Sequence, residues 1–147
     1  MTGFSRRLSL AVVTALVLAA GALASEQQGL RFDEAWVRAL PPGMKMTAGF
    51  GRLRNLSETP LELVGFSSPQ FADVSLHRTE TADGVSRMRE VSSLQIGPGE
   101  TVDLAPGGYH LMLMRPAADW SPEQPVVLQL QADDGTQFEF RVPVERR

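Results

Sequence analysis

The side chains that could bind a metal ion or attack a substrate are few in this chain. Its 147 residues include two His, six Met and no Cys. The absence of Cys excludes disulfides, thiolate nucleophiles, Cys-type zinc sites, iron–sulfur clusters and thiolate-ligated blue copper. The two histidines, His77 and His110, each lie near methionines in the sequence. Any chemistry would therefore depend mainly on imidazole and thioether groups.

One predicted strand, from Tyr109 to Arg115, carries three of these side chains. Because side chains alternate between the two faces of a strand, His110, Met112 and Met114 share one face, and the two leucines between them share the other. The leucine face is the better candidate for the core. The His-Met-Met stripe is then expected on the outer or rim side of the protein, where exposed Met is unusual.

A second predicted hairpin brings the other histidine close to a methionine. The Asp83-Gly84 dipeptide is a strong signal for a two-residue hairpin loop. In that register His77 lies opposite Glu90, and Thr79 lies opposite Met88. His77 and Met88 then become diagonal neighbours on one face of the sheet. A loop with an odd number of residues would instead place them on opposite faces.

Two His and two or three Met form a soft, neutral ligand set. Thioethers bind Cu(I) well and bind zinc, magnesium and calcium poorly. The set contains no pair of base and nucleophile, so we expect a protein that is not an enzyme. A copper redox enzyme is also disfavoured, because no Cys is present. The residues alone leave open a metal-free exported β-sandwich, a binding or assembly module whose Met side chains pack against a partner.

The N-terminus resembles a targeting segment. Arg6 and Arg7 precede a 17-residue apolar run that ends in Ala-Leu-Ala at Ala24. This pattern predicts a secretory signal peptide over residues 1–24 and a mature domain over residues 25–147. A membrane anchor is the weaker alternative, because the run is short and rich in Ala. Loss of the two arginines leaves 12 basic and 17 acidic residues, a net charge of −5 that disfavours nucleic acid and anionic lipid as partners.

The rest of the chain is predicted to be a single all-β domain. No stretch of ten residues shows a helical apolar period, whereas period-two segments bounded by turn residues are common. Eight to ten short strands at this spacing are typical of a sandwich or barrel. The expected strands are 32–38, 47–55, 61–66, 72–79, 85–91, 101–104, 109–115, 126–132 and 137–144, with a loop or short helical turn over 117–124.

The spacing of the four candidate ligands resembles that of a known family. His77, ten residues, Met88, twenty-one residues, His110, one residue and Met112 match the H-x10-M-x21-H-x-M pattern of the periplasmic copper chaperones called PCu(A)C. The segments Ala-Trp-Val-Arg at 35–38 and Pro-Gly-Gly-Tyr-His-Leu-Met-Leu at 106–113 are also similar to that family. The resemblance runs from about Phe32 to Val144.

This resemblance implies a cupredoxin-like Greek-key β-sandwich that binds Cu(I) through His77, Met88, His110 and Met112. It also implies delivery of copper in the periplasm, by ligand exchange, to the CuA centre of cytochrome c oxidase, alone or with a Sco-type thiol protein. We further expect a monomer with no stable membrane insertion after signal cleavage.

Three other methionines of the predicted mature domain fall outside the pattern. Met114 lies on the predicted ligand face, and we expect it to adjoin the site without binding the ion. Met44 and Met46 flank Lys45 in a segment rich in Pro and Gly, and we expect loop residues that are exposed by chance, with a role as auxiliary copper contacts as the weaker alternative.

Overall fold

The structure is a computed structural model that describes residues 25–27 and 29–147, with side chains from Gly29 onward. The predicted signal peptide lies outside the described residues. Within them the structure has twelve strands and no helix, and so no helix long and apolar enough to cross a membrane. The strands are β1 Ser25–Gln27, β2 Leu30–Arg38, β3 Met46–Asn55, β4 Leu61–Ser67, β5 Phe71–Ala82, β6 Val85–Glu90, β7 Leu94–Ile96, β8 Thr101–Leu104, β9 Tyr109–Pro116, β10 Val126–Ala132, β11 Gln137–Val142 and β12 Val144–Glu145.

The strands form two sheets that face each other. The larger sheet has eight strands in the order β1-β2-β3-β8-β9-β5-β6, with β12 paired to β2. The smaller sheet has the order β11-β10-β4-β7. The chain crosses between the sheets several times, for example from β3 to β4 and back to β5. The predicted all-β sandwich is confirmed, and residues 117–124 form a loop of turns.

The core lies between the sheets because alternate residues of each strand point inward. In β9 these residues are Leu111 and Leu113, and in β10 they are Leu128 and Leu130; all four are at most 1% exposed. They belong to one cluster of twenty buried hydrophobic residues. Here the inner face of the large sheet is the one turned toward the small sheet, and the outer face is turned away from it.

The short strands β1 and β7 are absent from the predicted set, and Val144 of β12 falls at the end of the strand predicted over 137–144. Each of the three strands has only two or three residues, too few to show an alternating pattern. They are assigned as strands because a neighbouring strand supplies hydrogen-bond partners, as β2 does for β1 and β12.

A bulge in β2 reverses the direction of its side chains. Phe32 is buried in the core, yet Trp36, four residues later, lies on the outer face beside Phe50. The pairing with β3 shifts by one residue between Asp33 and Trp36, which reverses the faces that follow. Gly51 permits this close approach, since a Cβ atom there would lie 2.5 Å from the Phe32 ring.

Candidate metal centre

The two histidines of the chain lie side by side on neighbouring strands of the large sheet. His77 on β5 is directly opposite His110 on β9. Their rings are stacked, with centroids 5.8 Å apart and planes inclined by 25°. The sequence placed each histidine on a strand, and the pairing of β5 with β9 brings them together.

The hairpin between β5 and β6 has the predicted register. Asp83 and Gly84 both have positive φ, 52° and 73°, as a two-residue type I′ loop requires. His77 lies opposite Glu90, and Thr79 lies opposite Met88. Met88 is therefore a diagonal neighbour of His77, and its side chain is 55% exposed. The register prediction is confirmed.

Met112 lies on the side of the histidine pair away from Met88. It lies two residues after His110 on the same face of β9, opposite Ser75 on β5 and Ala48 on β3. Because these neighbours are small, the long thioether side chain has room to turn toward the rings. Met88 and Met112 are thus the two diagonal neighbours of His77, on opposite sides of it.

The expected exposure of the stripe is wrong for His110, which is only 5% exposed. Aromatic neighbours on the outer face cover it. The Phe50 ring lies 6.3 Å from the His110 ring, and the Trp36 ring lies 4.8 Å from that of Phe50. The Arg38 guanidinium lies 5.3 Å from the Phe50 ring centroid. This row of rings covers the β3 side of the site and leaves its Met88 side open.

A backbone hydrogen bond defines which nitrogen of His110 is free. Nδ1 of His110 lies 3.2 Å from the carbonyl oxygen of Gly108. Because a carbonyl only accepts, Nδ1 carries the proton and donates it. Nε2 then keeps a lone pair that can bind a metal ion, which is the usual arrangement of a metal-binding imidazole.

His77 has an unpaired nitrogen of its own. Its Nε2 lies 2.9 Å from Oγ of Ser75. Its Nδ1 is shielded from solvent and has no hydrogen-bond partner among the described residues. Leaving a buried polar nitrogen unpaired costs free energy. If Nε2–H donates to Ser75, Nδ1 presents a bare lone pair, and a bound cation would satisfy it.

The electrostatic environment keeps His110 neutral. Burial is the largest cause, and it lowers the pKa of His110 below 6.5 because it disfavours the charged ring. The hydrogen bond to Gly108 raises the pKa, whereas His77 and Arg38 lower it further. A lowered pKa helps a metal ligand, since protons compete with the ion only at lower pH.

The donor set is two imidazoles and two thioethers, all neutral. Among the described residues, no group of three or more His, Cys, Asp or Glu side chains is arranged to hold a metal. A neutral N and S donor set favours a soft cation of low charge over zinc, magnesium or calcium.

Sequence reasoning missed four residues that shape this centre, Trp36, Arg38, Phe50 and Ser75. Ser75 carried a usable signal, because it lies two residues before His77 and must share its face. The aromatic row carried no such signal. The bulge in β2 moves Trp36 to the outer face, and simple alternation with Phe32 would have placed it in the core.

Comparison with known proteins identifies the family. Residues 30–144 match the family model described as "Putative lipoprotein LpqE-like". A protein of Leifsonia xyli subsp. xyli, named "Putative lipoprotein Lxx21020", is 36% identical over 121 residues, which cover 82% of this chain and 72% of that protein.

Solved structures share the fold. CuI-DR1885 from Deinococcus radiodurans is 30% identical, with a TM-score of 0.63 over 87% of this chain and 84% of that chain. The copper-bound PCuAC domain from PmoF2 is 19% identical and shows the fold alone, with a TM-score of 0.66 over 82% of this chain and 95% of that domain. The chain thus belongs to the LpqE-like family, as a PCu(A)C-type domain with a cupredoxin-like β-sandwich fold.

Proposed function

We propose that this protein is an exported carrier of Cu(I), which it holds through His77, Met88, His110 and Met112. The observation that carries the proposal is the direct opposition of the two histidines on β5 and β9, with one diagonal methionine of His77 on each neighbouring strand, Met112 on β9 and Met88 on β6. Two solved relatives are named for bound copper, CuI-DR1885 and the copper-bound PCuAC domain from PmoF2. The first of these, which is 30% identical to this chain, supports the same cargo here.

The donor set supports Cu(I) in particular. Thioethers and neutral imidazoles suit a soft monovalent ion, and four neutral ligands would leave the occupied site with a charge of only +1. The free Nε2 of His110 supplies one lone pair, and the unpaired Nδ1 of His77 supplies a second when Nε2–H donates to Ser75. The lowered pKa of His110 keeps that ring available at neutral pH.

The uneven burial of the ligands supports transfer by ligand exchange. His110 is buried, whereas every residue of β6, including Met88, is exposed. A partner's ligand can therefore approach from the β6 side and displace Met88 first, while the histidines still hold the ion. Copper would pass to the partner without being released into solution.

We propose that the recipient is the CuA centre of cytochrome c oxidase, reached directly or through a Sco-type protein, and that transfer occurs in the periplasm. Resemblance to the PCu(A)C chaperones supports this recipient. The predicted signal peptide and the lipoprotein description of the family support export. In this role the protein acts as a monomeric, non-enzymatic carrier.

The site is tested by anaerobic titration with Cu(I) in competition with a chromophoric chelator. We expect one tightly bound Cu(I) per chain. His110→Ala and Met112→Leu should each weaken binding by more than the roughly 10–100-fold that loss of an outer partner costs. Thr81→Ala is the matched control, because Thr81 lies on the same face of β5 beyond the Met88 row. Unchanged affinity in His110→Ala would overturn the ligand assignment and favour the metal-free binding module.

The recipient is tested by mixing the copper-loaded protein with an apo CuA domain, separating the two and measuring the copper in each. Transfer should persist when a chelator is present that captures free copper. Copper that appears only on the chelator would contradict direct exchange, although it would leave the binding site itself intact.

A further inference from the structure

The proposed Cu(I) site leaves three methionines unexplained. Met44 and Met46 are 53% and 46% exposed, and Met114 is half-buried. Met46 was expected in a loop, but the structure corrects this, because Met46 is the first residue of β3. An exposed thioether fills no gap in the core, so packing does not account for Met46.

Strand pairing places Met46 directly opposite Met114. Side chains that are directly opposite in an antiparallel pair have Cβ atoms about 4.5–5.5 Å apart. The two long thioether side chains can therefore converge on one ion above the outer face. On its other side, Met114 lies opposite Asp73, an exposed carboxylate of β5.

This methionine pair is continuous with the proposed Cu(I) site. Met112 and Met114 are two residues apart on one face of β9, a separation of about 7 Å along the strand. The rows across the sheet therefore run from the histidine pair, through Met112, to Met114 and Met46 at the start of β3. The two rows beyond the histidine pair therefore each carry at least one thioether group on the outer face.

We propose that Met46 and Met114 form a second, weaker binding site for a monovalent soft cation of the Cu(I) and Ag(I) class. The inference rests on the proposed function, since this site would load or unload the same cargo beside the His and Met centre. It is weaker because it has two thioethers and no imidazole. The cationic residues Lys45 and Arg115, which flank the pair in sequence, weaken it further, and Asp73 partly offsets their charge.

The experiment uses Ag(I), a redox-stable probe of the same class, and follows the Met methyl groups and the His ring protons by NMR. The first equivalent should shift the methyl signals of Met88 and Met112. The second equivalent should shift those of Met46 and Met114. The combined M46L and M114L variant should lose the second ion and keep the first, because Leu preserves the volume of Met.

Met88→Leu is the reciprocal control. It should weaken the first ion and leave the shifts of Met46 and Met114 in place. The inference is overturned if the methyl signals of Met46 and Met114 do not move through two equivalents. It is also overturned if the second ion persists in the folded M46L and M114L variant, with folding checked by thermal unfolding.

The two proposals can fail separately. Shifts at Met46 and Met114 without any response of the histidine signals would refute the His and Met centre and leave the methionine pair standing. If only the histidine, Met88 and Met112 signals respond, the methionine pair is refuted and the His and Met centre stands.

Discussion

The two faces of β9 are built from alternating residues of one strand, yet they serve different purposes. On the inner face, Leu111 and Leu113 are fully buried against the small sheet. On the outer face, His110, Met112 and Met114 lie beside residues of β3 and β5, the two strands that pair with β9 in the large sheet. The inner residues are enclosed on all sides, whereas a ligand can reach the outer ones from above.

This difference assigns stability of the fold to the inner face of β9 and the proposed ion binding to its outer face. Burial of the leucines removes apolar surface from water and stabilises the fold whatever the outer face carries. The outer residues are free to be ligands, because the sandwich does not need their side chains. His110 lies between these extremes, since Phe50 and His77 cover it from the sides. Substitutions on each face can therefore test whether the two properties are independent.

The largest effect on stability is expected from the inner face. Leu111→Ala should lower the free energy of unfolding by about 2–5 kcal/mol, because it leaves a cavity in a closed core. Denaturant unfolding measures this loss. Cu(I) affinity of the folded fraction should stay unchanged. A matched outer substitution, Met112→Leu, should weaken Cu(I) binding and leave the free energy of unfolding nearly unchanged. A similar loss of stability in both variants would refute the separation.

Met88→Leu should weaken Cu(I) binding by less than His110→Ala does, because Met88 is exposed and in the proposed site would hold the ion from the edge of the sheet. The free energy of unfolding of this variant should differ from that of the original protein by no more than about 0.5 kcal/mol, the usual range for a surface substitution. Competition titration and thermal unfolding measure the two effects. A variant that binds Cu(I) as tightly as the original protein would remove Met88 from the ligand set.

Ser75→Ala tests the hydrogen bond behind His77. Without Oγ of Ser75, Nε2 loses the partner that orients the ring. Loss of such an outer partner typically costs about 10–100-fold in metal affinity. We expect a decrease at the low end of that range, measured beside the Thr81→Ala control. Equal affinities in the two variants would show that Ser75 does not position His77.

The smallest effect is a dependence of stability on pH. Burial lowers the pKa of His110 in the folded protein below its unfolded value of about 6.5. The unfolded state therefore binds more protons at intermediate pH. Stability should be greatest above pH 6.5 and fall as the pH drops from there through the lowered pKa. Unfolding of the metal-free protein across this range measures the decline, and His110→Gln should reduce it. An identical decline in the variant would assign the effect to other groups.

Local patterns in the sequence were enough for much of the fold and part of the site. Alternation in β9 separated the leucines from His110 and Met112, and the Asp83-Gly84 loop set the register of His77 with Met88. Both rules act within one strand or one hairpin. They work because the period of a strand and the geometry of a two-residue turn are determined by the backbone itself.

Pairing between distant segments was beyond such rules. His77 and His110 are 33 residues apart. The chain between them contributes β7 to the small sheet before β9 pairs with β5. The register of such a pair depends on how both sheets bury their apolar faces, which no local pattern encodes. The same holds for the pairing of Met46 with Met114 and for the bulge that turns Trp36 outward.

The sequence by itself thus determined the all-β class, the chemical type of the ligands and the face of the strand on which each ligand lies. These follow from residue types and from the period of two. Only the tertiary structure decided which candidate ligands meet, how deeply His110 is buried and which hydrogen-bond partners the ring nitrogens have. The physical reason is that contacts across a sheet are chosen by the packing of the whole sandwich, whereas alternation along a strand is a property of the chain alone.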